Sequence, residues 1–497
     1  MTLNAKRLSF LRMIVVATPL IWCSELCAQS TGNTSPLSNS VATPRPFDPG
    51  QNTTNPSALA VQTQNPFLGS VPTGPVIPGI LPLSLHSAVS QALKANLGFI
   101  ESEQSHAESG AAHLRALSAI LPQLSAESTE TFRNLVADTL GVDKLGFPHL
   151  VPPFNYQSAA LLYKEDLLNM TSIHEIKAAR REVEASAATL EDARNIVVLA
   201  AVSSYLLVAA SQTRVATAEA QAVTARTTDQ LLESRVRREV SPEIDRIRTH
   251  VALHSAEQRL VIARITLEKD KLALTRIIGL PVEQHFELTD ALEYRKSPDQ
   301  SLENLIAAAI THRQDLKAAA VRVNAAQQLV QAQKAQRLPV ISAQANAGEA
   351  GATYGHAFGD YNVEGRISLP IFTGGKIQSD IAAAEAAFRQ RNAELADIHE
   401  RTIFDVRRAD LDLQASESSV EVALENGDLA KEGLRQARDR FEVGVSNTVD
   451  LIQAEQAVAE AEDNRIASIY AHSLAKVMLL RAMGTAEQDY ATYLGVH

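Results

Sequence analysis

The chain has 497 residues, of which 45% are hydrophobic and only 5% aromatic, and its formal net charge is −11. The negative balance argues against nucleic acid as a partner. Abundant alanine and 21% charged residues favour long helices over a large mixed core.

Residues 1–28 have the pattern of a cleaved secretory signal: basic residues, then a short apolar run, then a plausible cleavage site before Gln29. The apolar run is too short to span a membrane comfortably. Lipidation at Cys27 is disfavoured, because Leu26 precedes it where a small residue is required. Cleavage removes Cys23 and Cys27, the only cysteines, so we expect no disulfide or thiol chemistry in the mature chain.

Residues 29–82 are rich in Pro, Ser, Thr and Asn and show neither helical nor strand periodicity. This composition predicts an extended or disordered arm. Asn65–Gly69 and Val76–Leu81 are apolar stretches that could pack along a folded body.

An amphipathic helix is predicted from Leu83 to Ile100 and onward to Pro122, and the same design recurs 217 positions later, from Ser301 to Pro339. The later helix–helix turns, and the glycines Gly279 and Gly484 that close the copies, recur 205 positions apart. The chain is therefore predicted to hold two copies of one unit, with a variable loop accounting for about a dozen residues. The copies span 83–285 and 299–485, with a linker at 286–298 and a C-terminal tail at 486–497.

In each copy, segments with the alternation of β-strands lie between the proline that ends the first helix, Pro122 or Pro339, and the long helix that follows. In copy two, Val340–Ala347 and Tyr361–Phe372 alternate, joined as a hairpin by a Gly-rich stretch; Gln123–Asn134 and Tyr156–Tyr163 occupy the same slots in copy one. Alternation suits a barrel wall or a soluble hairpin. Four strands cannot close a transmembrane barrel, which needs about eight, so membrane strands would require a barrel shared between subunits.

Long helix pairs make up the rest. Residues 375–441 contain no proline, and a helix of that length spans on the order of 100 Å. Apolar residues recur in steps of three and four, as coiled-coil packing requires. A return helix follows at Val449–Met483, and copy one has the same pair. Its most apolar stretch, Ile196–Ala210, is shorter than a membrane span and favours buried packing.

A turn at Arg440–Leu451 joins the second helix pair. Gly444 and Ser446-Asn447 supply the break, and either Ser446 or Asn447 can cap the helix that follows. In the equivalent turn 205 positions earlier, Ser241 is the predicted cap and Pro242 a first-turn residue.

This turn and the start of the helix after it resemble the tip of the TolC family of outer-membrane efflux proteins. The resemblance lies in the stretch RFEVGVSNTVDLIQAEQAV, Arg440–Val458, which includes the aromatic residue Phe441. ISLPIFTGGK, with Pro370, Gly374 and Gly375, is similar to that family's strand-to-helix junction. The resemblance covers roughly residues 83–485.

This resemblance implies a mainly α protein with a small β part. Each repeat would give a β-hairpin to a shared, trimeric outer-membrane β-barrel and long antiparallel coiled-coil helices to a periplasmic α-barrel. Such a homotrimer lies in the lipid bilayer of the outer membrane and extends into the periplasm. It serves as the passive exit duct of a tripartite efflux or type I secretion system. Small molecules or polypeptide would reach it from an inner-membrane transporter through a periplasmic adaptor protein.

In that family, Asp side chains at the tip line a constricted periplasmic entrance. Asp450 and Asp245 match that position in the two copies. Gln453 stands where the family's best-studied form has a further acidic residue, which puts a double acidic ring in doubt. The alternative for both Asp residues is a first-turn position favoured by the helix dipole.

Other signals are weaker. His250, His254 and Glu257 share a helix face, but the second copy has Glu455, Ala459 and Glu462 there, and no fourth ligand is evident, so no metal or cofactor is expected. No catalytic constellation stands out, so an enzyme is not expected. Five arginines cluster around the helix–helix turn of copy one and could meet an acidic partner or form a solvated helix end: Arg235, Arg237, Arg238, Arg246 and Arg248.

Two function classes compete with the channel. A periplasmic adaptor also has a long helical hairpin, but only one of them and no set of four strands. A soluble coiled-coil scaffold would lack the outer-membrane location.

Overall fold

The computed structural model describes residues 65–72, 74–136, 150–290, 293–298 and 300–495. The predicted signal segment, most of the predicted arm and residues 137–149, between the two predicted strands of the first hairpin, lie outside the described residues.

Elements follow one another in the same order twice. The first half consists of β1 Leu81–Leu83, α1 Leu85–Ala95, α2 Leu97–Leu117, β2 Gln123–Val136, β3 Leu150–Leu168, α3 Met170–Arg237 and α4 Glu243–Ile278. The second consists of β4 Phe286–Leu288, α5 Leu302–His312, α6 Gln314–Ala335, β5 Val340–Gly351, β6 Ala357–Ser368, α7 Lys376–Glu442, α8 Thr448–Met483 and α9 Ala486–Leu494.

Equivalent elements keep the two spacings seen in the sequence. Leu302, which opens α5, lies 217 positions after Leu85, which opens α1. Thr448, which opens α8, lies 205 positions after Glu243, which opens α4. Both α4 and α8 end on a left-handed glycine, Gly279 and Gly484.

Helices and strands form four neighbouring columns. The strands pair antiparallel in the order β2-β3-β5-β6. Near the sheet, α3 packs against α2 and α6, and α7 packs against α6; toward the tips, α3 packs against α4 and α8, and α7 packs against α8. The columns are therefore β2 with α2 and α4, then β3 with α3, then β5 with α6 and α8, and finally β6 with α7. The first and last columns are the open edges.

The two faces of the sheet differ in chemistry. Tyr361 pairs with Ala347, which pairs with Leu161, so these residues share one face. Neighbouring rows extend this apolar face, while the opposite face is polar. The apolar face carries Leu124, Leu161, Tyr163, Tyr361, Val363 and Ile367, and the polar face carries Lys164, Asp166, Gln344, Asn362, Glu364 and Arg366. Strand β6 ends at Ser368 rather than at Phe372, since Pro370 has no N–H to donate to a ladder.

The main hydrophobic core lies where α1, α3, α4 and α8 meet. Tyr205 and the valines around it are almost fully buried there. Helix α3 is the one described helix long and apolar enough to cross a membrane, but its apolar stretch is mostly buried within the protein. This agrees with the expectation that Ile196–Ala210 packs in a protein core.

The helix predicted from Leu83 to Pro122 is two helices. The break falls at Asn96, whose backbone is extended and whose Oδ1 accepts from the N–H groups of Gly98 and Phe99. Its side-chain amide donates to the carbonyl of Phe67. Asn96 therefore caps a new helix and ties it to the upstream segment, and no local sequence pattern separates that role from an ordinary polar residue. Arg313 makes the equivalent break between α5 and α6.

The end of the predicted arm packs on the body, as its apolar stretches suggested. Phe67 lies so close to Gly98 that a Cβ at Gly98 would stand 2.5 Å from the ring. Strand β1 pairs in parallel with β4, which lies in the predicted linker. The predicted C-terminal tail contains α9, whose Glu487 forms an ion pair with Arg194 at 2.6 Å.

Candidate channel entrance and subunit edges

The second tip joins α7 to α8. Gly444 has φ +78°, a conformation open to glycine at little cost, and the N–H groups of Val445 and Ser446 donate back to the carbonyl of Arg440. Of the two candidate caps, Asn447 is the N-cap of α8: its Oδ1 accepts from the N–H of Asp450 at 2.9 Å. The turn is therefore where it was predicted.

The first tip joins α3 to α4 and differs in detail. Pro242 is the N-cap and α4 begins at Glu243, so Ser241 is not the cap and Pro242 is not the first helical residue. The helix predicted from Glu243 to Ile278 has these bounds, and its cap lies one residue later than predicted. Glu239 stands at the position equivalent to Gly444 and is the only non-glycine residue of the described chain with positive φ, at +59°. Such a backbone strains a residue with a Cβ.

The two candidate entrance carboxylates both lie in the first turn of a helix. Asp450 is exposed and accepts a hydrogen bond from the hydroxyl of Ser446 at 2.7 Å. Asp245 lies 3.3 Å from a guanidinium nitrogen of Arg248. Gln453 is exposed one turn further along α8. Both Asp residues thus lie in a first turn, as the helix-dipole alternative predicts, and each has a local partner, while Asp450 also keeps its charge at the surface of the tip.

The two tips are fastened together by a contact that the sequence did not reveal. The guanidinium of Arg235 stands 4.5 Å from the centre of the Phe441 ring. Phe441 is only 5% exposed and packs with Leu232 and Leu451 in a small cluster of its own. Because Leu232 belongs to α3 and Phe441 to α7, this tip clasp joins the two halves of the chain.

Most of the basic cluster is occupied within the chain. Arg237 pairs with Glu233, Arg246 with Glu243 and Arg248 with Asp245, while Arg238 donates to the carbonyl of Ser234. The cluster is therefore largely a set of local helix-end pairs.

A partly buried acid lies near the tip. Glu455 of α8 accepts from the hydroxyl of Thr228 on α3 at 2.8 Å and stands 3.7 Å from Arg438. Burial raises its pKa, against the opposing effects of the Thr228 hydrogen bond and of the Arg438 charge. This residue links the second and third columns.

The two passages from sheet to long helix are unequal. In the second half, Pro370 follows β6, and Gly374 and Gly375 take positive φ of +60° and +87° immediately before α7. In the first half, Asn169 alone separates β3 from α3, and its side chain caps the helix by accepting from the N–H of Ser172. The predicted Pro and Gly-Gly junction is thus a backbone turn, replaced in copy one by a side-chain cap.

The apolar face of the sheet is bare in the single chain. Tyr361 and Val363 are 78% and 77% exposed, although both are residues that normally bury. A contiguous exposed apolar surface of this kind marks a contact with lipid or protein.

The open edges carry apolar residues along the helices too. On the first edge they are Ile244, Ile247, Val251, Ile262, Ile265 and Leu272 of α4, and on the last edge Phe404, Leu411, Val422 and Leu429 of α7.

These two edges match in height above the tips. Ile262 lies 19 residues beyond the start of α4 at Glu243, and Val422 lies 20 residues before the end of α7 at Glu442. Since α4 begins at the tip and α7 ends there, the two side chains stand at nearly the same level. Leu272 and Leu411 also stand at similar levels, since their distances in sequence from the tip ends of α4 and α7 differ by less than one helical turn.

Residues 305–485 match the family model for the outer membrane efflux protein family. The outer membrane protein TolC of Vibrio cholerae is 27% identical over 138 residues, which cover 28% of this chain and 32% of that protein. The outer membrane efflux protein BepC of Brucella suis is 25% identical over 254 residues, covering 49% of this chain and 54% of that protein. The chain thus matches about a third and about half of the length of these curated relatives.

Solved structures share the fold. The outer membrane protein VceC of Vibrio cholerae aligns with a TM-score of 0.69 and 19% identity over 80% of this chain and 96% of that one. The CmeC outer membrane channel of Campylobacter jejuni aligns with a TM-score of 0.71 and 16% identity over 85% and 92%. The chain shares the fold of these outer-membrane proteins, and residues 305–485 match the outer membrane efflux protein family, in agreement with the resemblance seen in the sequence.

Proposed function

We propose that the protein is the outer-membrane exit duct of a tripartite efflux or type I secretion system, and that it works as a homotrimer. The observation that carries the proposal is the set of four columns with two open edges. Three copies of the four-stranded sheet supply twelve strands, enough for a closed transmembrane barrel, whereas one copy cannot close.

The chemistry of the faces supports this arrangement. The exposed apolar face with Tyr361 and Val363 would meet lipid, and the face with Lys164, Asn362 and Arg366 would line water in the barrel. At about 1.5 Å per residue, the 67 residues of α7 extend on the order of 100 Å from the sheet, which suits an α-barrel in the periplasm.

The subunit contact would run from the α4 edge of one subunit to the α7 edge of the next. Such a contact is heterologous, and it forms a ring when the rotation closes. The level match between Ile262 and Val422 supports this pairing.

Cysteine cross-linking tests the contact. The double variant Ile262→Cys, Val422→Cys should give oxidised dimers and trimers of the membrane-extracted protein. The control Val223→Cys, Val422→Cys places the first thiol at an exposed site on α3, in an interior column, and should stay monomeric on a denaturing gel. A soluble, monomeric protein in the periplasmic fraction would favour the scaffold alternative and refute the channel.

The entrance is proposed at the tips, with Asp450 and Asp245 as its carboxylates and Gln453 beside them. The cargo would pass to the tips from an inner-membrane transporter and its periplasmic adaptor. In a trimer the two positions supply six carboxylates, which would attract cations and repel anions at a narrow mouth.

Single-channel conductance tests this entrance. Asp450→Ala with Asp245→Ala should change the conductance and weaken its block by multivalent cations. Ser446→Ala is the matched control, because it removes the hydroxyl that Asp450 accepts from while keeping the charge. If the control reproduces the double variant, or if the double variant conducts like the wild type, both Asp residues are helix-end residues only.

A further inference from the structure

Two histidines on the outer face of α4 point their ring nitrogens at each other. The Nε2 atoms of His250 and His254 are 3.1 Å apart, with the rings in an edge-to-face arrangement. Both side chains are exposed in the single chain, at 52% and 64%. The spacing of four residues had suggested a possible ligand pair, and the structure adds the direction in which each ring faces.

The other nitrogen of each ring faces a carboxylate. Nδ1 of His250 lies 3.5 Å from Asp229, and Nδ1 of His254 lies 3.4 Å from Glu257. These contacts are attractive when both Nδ1 atoms carry the proton. In that tautomer both Nε2 atoms present lone pairs to each other at 3.1 Å, which is repulsive unless a proton or a metal ion lies between them.

Each carboxylate is itself held in place. Asp229 of α3 accepts a hydrogen bond at 2.9 Å from the hydroxyl of Thr249, a buried residue. Glu257 forms an ion pair with Arg226 of α3 at 2.7 Å. Carboxylates that accept from Nδ1 are the usual outer partners of metal-bound histidine, because they fix the tautomer and the ring orientation.

The distance between the Nε2 atoms suits one shared ion. Two nitrogens about 2.05 Å from a metal and 3.1 Å apart would subtend an angle of about 98°, between octahedral and tetrahedral values. No group of three or more ligating side chains converges within the described residues, so water would complete the coordination.

The equivalent positions on α8 do not repeat the pair. Glu455 and Ala459 replace the two histidines, and Glu462 stands at the position of Glu257. Glu455 contacts Thr228 and Glu462 contacts Lys431, both on neighbouring helices. Helix α8 lies in an interior column, so these positions bind other helices, whereas α4 lies at an edge, where the two histidines are exposed in the single chain.

We propose that His250 and His254 form a binding site for an imidazole-preferring divalent metal ion, of the class of Cu²⁺, Ni²⁺ and Zn²⁺. Asp229 and Glu257 act as positioning residues for the two rings. The ion joins two turns of α4 directly and couples them, through Asp229, to α3 near the first tip. All four residues belong to one chain, and in the proposed trimer the site would lie on the α4 edge, beside the contact with α7 of the next subunit.

Zinc titration of the full-length, detergent-extracted protein without a polyhistidine tag tests the site by calorimetry. We expect one Zn²⁺ per chain, with affinity reduced at least ~10-fold by His254→Gln or His250→Gln. His399→Gln is the matched control, because His399 is an exposed helix residue whose Nδ1 lies 3.4 Å from Glu400. Equal losses in the control and in the site variants would overturn the proposal, and so would wild-type binding no stronger than that of the double variant His250→Gln, His254→Gln.

Electron paramagnetic resonance of bound Cu²⁺ separates ligands from positioning residues. The wild type should show two coordinated imidazole nitrogens, and His254→Gln one. Asp229→Asn should keep both nitrogens while lowering the affinity by about 10-fold or more. A wild-type spectrum with a single nitrogen, or an affinity unchanged in Asp229→Asn, would contradict the arrangement proposed.

Discussion

Replacing Phe441 with alanine should loosen both tips of the protein at once. The ring is 5% exposed, packs with Leu232 and Leu451, and lies under the guanidinium of Arg235. Truncating a buried Phe costs about 3–5 kcal/mol, and the lower end applies here because the cluster is small and can partly collapse. Loss of the cation–π contact adds about 0.5–1 kcal/mol at an exposed site.

Together these terms destabilise the tip clasp by about 3–4 kcal/mol, which multiplies the population of locally opened tips by roughly 10²–10³. Hydrogen exchange followed by mass spectrometry measures this directly. Peptides from the last turns of α7 and of α3 should both exchange faster in Phe441→Ala, since the clasp holds one against the other. Peptides from the main core around Tyr205 should be unaffected.

Phe441→Leu is the matched control for this experiment. It keeps most of the buried apolar volume and loses the ring face presented to Arg235, so its effect should be less than about 2 kcal/mol. Wild-type exchange in Phe441→Ala would refute the reasoning. Faster exchange confined to the end of α7 would show that Phe441 stabilises its own hairpin but does not join the two tips.

Three further predictions concern single residues. Glu239→Gly should stabilise the first tip by about 1 kcal/mol, because glycine adopts a positive φ without strain. Gly444→Ala should destabilise the second tip by a similar amount for the same reason. Hydrogen exchange of peptides from each tip measures both effects. Burial lowers the pKa of Lys476 to about 8 from 10.5. Between these two pH values the unfolded chain binds a proton that the folded chain does not, so the free energy of unfolding should rise with pH across that window. Denaturant titrations at several pH values should show this slope in the wild type and lose it in Lys476→Met. Gly98→Ala should displace Phe67, seen as faster proteolysis before β1, with an unchanged rate arguing that the contact does not hold that segment.

Features set by local chemistry could be predicted from the sequence. The long helices follow from periodicity and the absence of proline, and the turn at Gly444 follows from a residue that tolerates positive φ. The repeat spacings exposed the order of elements, and strand alternation separated an apolar from a polar sheet face. The pairing partner of each column was not visible, because period and composition describe one element at a time.

What escaped prediction depends on contacts between distant parts of the chain. The break at Asn96 is fixed partly by the carbonyl of Phe67, and β1 pairs with β4 more than two hundred residues away. The contact of Arg235 with Phe441 joins the two halves of the chain. The spacing of His250 and His254 was visible, but the orientation of their rings depends on Asp229 of another helix, which the sequence alone does not place nearby.

The open edges have a consequence for biogenesis. Within the part of the chain that the structure describes, β2 and β6 have no adjoining strand on their outer sides. Such edges, with exposed residues such as Tyr361 and Val363, template pairing with any extended peptide. If the chain assembles into the proposed trimer, a subunit that has not yet met its neighbours would be prone to aggregate, and the yield of trimer should rise with chain concentration or with an escort protein that covers the edges.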